Sequence, residues 1–251
     1  MDQEAALEGA REMDRFLAYI SGAFPNLSAE VNSDARLHFV LYALFTGLTP
    51  INRLKDGARE LKLQFNEAFK LFGTQRVEMI DIPECAKVER IRSEFININA
   101  VRKVVEMNRR YFPDFTDPIE WIRQNPQVLC YECTEPGDMK HVTYGILSGF
   151  PPQACRDYRV FTESLSFLNE AGITLPSFVS NPQHLRDVFA RSEVADSLSG
   201  QPSHLRVLQN ARASGFLHFT CYTFSEEQAE YVRYLEEAFF STLMLVGYNE
   251  Y

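Results

Sequence analysis

Cysteine is scarce and odd in number, with Cys85, Cys130, Cys133, Cys155 and Cys221 spread over 251 residues. Secreted disulfide frameworks pack an even number into a short chain, so reduced thiols and a cytoplasmic setting are expected. The opening Met1-Asp2-Gln3-Glu4 is acidic where an export signal needs a basic segment followed by an apolar run, and no such signal is read there. Long apolar stretches are missing too: Phe39 to Phe45 is far short of the ~20 residues that span a bilayer. Positive charge is in deficit, since 25 basic against 34 acidic residues leave −9. That sign disfavours nucleic acid and anionic membranes as main partners. Several signatures are absent as well: a phosphate loop ending in Gly-Lys-Ser/Thr, G-x-G-x-x-G, His-Glu-x-x-His and Gly-x-Ser-x-Gly.

What is present is ordinary globular material, 45% hydrophobic and 24% charged, enough for a sizeable core. Prolines following capping residues at Thr49-Pro50, Asp117-Pro118 and Asn181-Pro182, and the capping-box spacings of Asp81 with Glu84 and Ser225 with Gln228, propose helix starts near 50, 82, 118, 182 and 226. Ile51, Leu54, Ala58, Leu61, Phe65, Ala68 and Phe72 alternate spacings of three and four, which puts them on one helical stripe ending before Gly73. Val88, Ile91, Phe95, Ile98, Val101 and Val105 predict a second helix within 83–110. Val232, Leu235, Phe239, Leu243 and Val246 predict another near the C-terminus. Residues 3–20 and 29–46 also read as helices, the second apolar around much of its circumference and therefore central.

Strand signal is limited to Val77–Ile82, Gln127–Cys133 and Phe216–Phe224. The expected class is α+β, predominantly α-helical: a multi-helix core with a small accessory sheet of two or three short strands. A helical region 1–112 followed by an α+β region 127–251 is the expected division, with one continuous domain 1–251 as the alternative. The near match of Asn181-Pro-Gln-His-Leu-Arg to Gln201-Pro-Ser-His-Leu-Arg is two similar helix starts rather than a repeat array.

Cys130-Tyr-Glu-Cys133 has the spacing of a zinc or redox pair, but no second pair completes four ligands, so no metal or cofactor is expected. His218 and Cys221 are three apart in a strand-like run and would point to opposite faces, which argues against a dyad. The most concentrated oddity is His141-Val-Thr-Tyr-Gly145-Ile-Leu-Ser-Gly149-Phe-Pro-Pro152. A helix interior loses about 1 kcal/mol for each glycine relative to alanine, so two glycines four apart suggest close approach of something. Either another helix packs there, or a ligand or partner backbone lies on the glycine face beside His141 and Tyr144. Arg156 and Arg159, three apart downstream, could clamp a carboxylate or phosphate or form exposed ion pairs. The candidate binding residues are therefore His141, Tyr144, Gly145, Gly149, Arg156 and Arg159. The expected function is binding of a macromolecule, most simply another protein, or self-association. The alternative is a hydrolase or transferase built on Cys133, His141, Tyr144 and Arg156.

Overall fold

The computed structural model describes residues 3–53, 59–83, 92–130, 139–153, 155–156, 212–216, 219–223 and 241. Along the chain these form α1 (Gln3–Ala23), α2 (Pro25–Ser33), α3 (Ala35–Phe45), β1 (Ile51–Arg53), α4 (Arg59–Phe72), β2 (Val77–Ile82), β3 (Arg92–Asn97) and α5 (Ile98–Met107). A 3-10 turn η1 (Arg109–Tyr111), α6 (Pro118–Gln124), a second 3-10 turn η2 (Pro126–Leu129), α7 (Met139–Leu147), β4 (Arg212–Phe216) and β5 (Phe219–Thr223) follow. The protein is α+β with helices dominant. Its chain divides into two compact units, residues 1–134 with 146–149 and 239–251, and residues 135–145 with 150–238.

In the first unit a three-stranded antiparallel sheet runs in the order β1-β3-β2. The central strand β3 buries Ser93, Glu94, Phe95, Ile96 and Asn97 in succession, as a strand covered on both faces does. One face carries Phe95 opposite Met79, and Ser93 opposite Asp81, which are joined by a 2.6 Å hydrogen bond from the Ser93 hydroxyl to the Asp81 carboxylate. Phe95 meets Phe65 and Phe69 of α4 edge-on, at 5.2 and 5.5 Å between ring centres. The aromatic seam continues to Phe16 of α1, 5.0 Å from Phe69, and on to Phe45 of α3, 5.5 Å from Phe16. Such ring pairs each add about 0.5–1.5 kcal/mol beyond the area they bury. On the opposite face Glu78 of β2 receives a two-pronged pair from Arg123 of α6, at 2.9 and 2.6 Å.

The helices follow their sequences closely where one face is apolar. α1 turns Ala6, Ala10, Met13, Phe16 and Ile20 inward, and α3 buries Leu37 and everything from Phe39 to Phe45. Gly9 lets α1 lie against the end of α3: a β-carbon there would sit 2.2 Å from the Phe45 carbonyl oxygen. Below this crossing Arg76, only 10% exposed in its side chain, pairs with Glu8 and Glu12 of α1, each at 3.1 Å. Glu12 also accepts from the Thr74 hydroxyl, so one carboxylate fastens α1 to the turn that feeds β2. α4 ends at Gly73, whose φ of +74° is the left-handed cap that glycine adopts without strain.

Several sequence expectations are corrected. Thr49-Pro50 does not start a helix: Ile51–Arg53 is an edge strand, and the helix of that stripe is Arg59–Phe72. The stripe predicted within 83–110 is divided: Phe95 belongs to β3, Ile98–Met107 is helical, and residues 84–91, with Val88 and Ile91, lie outside the described residues. Buried Asn97 marks the division. Its side chain accepts from the Ala100 amide to cap α5 and donates to the Leu44 carbonyl at 2.7 Å. The single helix expected over 29–46 is two, broken at Asp34, whose extended backbone ends α2 while its carboxylate accepts from the Leu37 amide. Gln127 to Leu129 lie in a 3-10 turn rather than a strand, Pro126 having started a helical turn there. Val77–Ile82 is a strand as expected, and Asp117-Pro118 starts a helix as expected. The proposed starts near 182 and 226, the C-terminal stripe and the similar segments at 181 and 201 lie outside the described residues.

In the second unit β4 and β5 form an antiparallel hairpin, with Ser214 opposite Cys221 and Phe216 opposite Phe219. Of the strand expected over Phe216–Phe224, Phe219–Thr223 is the return arm of that hairpin, Phe216 ends the outgoing arm, and residues 217, 218 and 224 lie outside the described residues.

Candidate functional site

The glycine-bearing segment folds as the helix α7, and its two glycines do different jobs. Gly145 is a close-approach position. A β-carbon added there would meet the Cys155 sulfur at 2.6 Å and the Cys155 β-carbon at 3.2 Å. Cys155 is buried, sits in the helical turn that Pro152 begins, and donates weakly from its thiol to the Phe150 carbonyl at 3.8 Å. The turn that carries Cys155 therefore lies against the Gly145 face, with the Cys155 amide donating to the Pro151 carbonyl at 3.1 Å.

Gly149 is a stop. Its φ is +93°, its amide donates to the Ile146 carbonyl, and the Phe150 amide reaches back to the Gly145 carbonyl, both at 3.0 Å. This pair of bonds, six-to-one and five-to-two, is the Schellman arrangement that satisfies the last carbonyls of a helix. A side chain at 149 would be strained by its backbone angle whatever space it had; its β-carbon would lie 3.4 Å from the Pro50 ring.

Of the remaining candidates, His141 occupies the turn of α7 preceding Gly145, Tyr144 is half-buried beside Gly145, and Arg156 is exposed one residue beyond Cys155. The structure thus brings the Gly145 face and the Cys155-Arg156 turn together. Arg159 and Cys133 lie outside the described residues, as does His218, while Cys130 is buried.

Among the described residues, the ionisable groups that depart from their ordinary behaviour serve structural roles in the first unit. Burial of Tyr42, reinforced by the charge of Asp14, pushes its phenol up. The Asp117 carboxyl is held low, first by the Glu120 amide and also by the Arg102 guanidinium and the Ile119 amide, because it caps α6. Hydrogen bonding to Glu78 raises the Arg123 guanidinium further. Among the described residues no group of three or more His, Cys, Asp or Glu side chains is gathered to hold a metal ion. None of their helices is long and apolar enough to cross a membrane.

The sequence reading missed the outward side of α4. Phe65, Ala68 and Phe69 are buried, whereas Leu63 is 60% and Leu71 63% exposed on the other side, flanking Glu67. The signal was available: both leucines fall off the 3-4-3-4 stripe that defines the buried face. Met107, at the end of α5, is exposed as well. A half-exposed cluster around the only tryptophan was equally unforeseen. Phe115 stacks on Trp121 at 5.0 Å, with the Arg109 guanidinium 4.2 Å above the Phe115 ring. Arg109 also donates to the Pro113 and Phe115 carbonyls, so the cluster staples the loop between η1 and α6.

Comparison with known proteins adds no assignment: the chain matches no protein-family model, no curated protein and no solved structure.

Proposed function

We propose that this protein acts by binding another macromolecule, most simply another protein, or by self-association, rather than by catalysis. One observation carries the reading: a single helix, α4, buries one face in the aromatic core and turns Leu63 and Leu71 outward on the other. At 1.5 Å of rise per residue the two leucines stand about 12 Å apart, near enough for one partner surface to cover both. Covering the remaining exposed part of each leucine is worth about 1–2 kcal/mol before the costs of association, so the pair can contribute to a contact without making one alone. The net charge of −9 favours a partner that is not itself strongly acidic.

Native mass spectrometry of the full chain, purified gently from its own cells, tests this. A mass above that of one 28.9 kDa chain, made up by further protein, is the expected result. A single chain carrying a tightly held small molecule or metal would overturn the proposal. It would direct attention to the alternative site at Cys133, His141, Tyr144 and Arg156.

A further inference from the structure

We draw no further inference here: the strongest candidate, the outward face of α4 on which Leu63 and Leu71 flank Glu67, carries nothing beyond the binding role already proposed, because a two-fold copy would set Glu67 against Glu67 and nothing in the structure shows what covers it.

Discussion

A methyl group at Gly9 would have to occupy space 2.2 Å from the Phe45 carbonyl oxygen and 2.8 Å from the Thr46 α-carbon, both of them backbone. Neither can swing aside as a flexible side chain could, so α1 and α3 must separate. Gly9→Ala is expected to lower stability by at least about 2 kcal/mol, at the upper end of overpacking costs, as read by urea unfolding. Gly22, also in α1, has nothing within 4 Å of an added methyl, and Gly22→Ala should be neutral or stabilise by up to about 1 kcal/mol. Equal losses in the two variants would contradict the crossing. Gly145 poses the same question about a side-chain neighbour. If its open face exists to admit Cys155, Gly145→Ala should cost about 1–3 kcal/mol, and much of that loss should disappear when Cys155→Ala removes the sulfur. A double-mutant cycle on thermal unfolding measures it. Strict additivity would mean that Cys155 is not what the glycine accommodates.

At the scale of elements, Asn97 ties three segments together: its amide nitrogen donates to Pro50, its side-chain NH₂ to Leu44, and its side-chain oxygen accepts from Ala100. Asn97→Asp keeps the cap and loses the donor, turning a carboxylate toward the Leu44 carbonyl. It should therefore destabilise more than Asn97→Ala, which removes the cap of α5 and one of the two hydrogen bonds that the Leu44 carbonyl accepts, the Gly47 amide still donating to it at 3.0 Å, for a loss of about 1–2 kcal/mol. Chemical denaturation of the two variants checks the order.

The cap of α6 gives a pH signature. The Asp117 carboxyl titrates below its ordinary 3.8 in the folded chain. Its contribution is therefore present above that value and is lost as pH falls through the lower folded value. Asp117→Asn preserves a cap without the charge, so the stability advantage of Asp117 over this variant should shrink below pH ~4, the ordinary range of an aspartate. Trp121, the sole tryptophan, lies on the same helix and reports the change by fluorescence. An advantage independent of pH would show that the carboxylate is not the capping group.

These elements also show how far the sequence was legible. Helices α1, α4 and α6 announced themselves because their periodicity or caps are set by neighbours within a turn or two. The strands β1 and β3 did not. Ile51 and Phe95 happen to fall on helical spacings, and what makes them strands is pairing beyond the reach of a helical turn, Ile51 with Ile96 over forty residues away and Phe95 with both Asn52 and Met79. Asn97 was illegible for the same reason, since its partner Leu44 is 53 residues away. For the candidate site, composition showed that something approaches Gly145, yet only three dimensions could name Cys155.

At the scale of the whole molecule, the described residues turn most of their large apolar side chains into an aromatic core and leave Leu63, Leu71 and Met107 outside. On the binding role proposed above, recognition would be a property of the assembled surface rather than of any short motif. Replacing the outward leucines should separate this role from folding, because neither side chain belongs to the core. The most direct measurement is sedimentation velocity on the full chain and on its Leu63→Gln/Leu71→Gln variant, both purified from the source cells. Binding through α4 predicts that the wild type sediments in an assembly larger than one chain, while the variant sediments as a single chain with its melting temperature unchanged or raised. A variant that keeps the wild-type assembly, or a wild type that sediments as one bare chain, would contradict it.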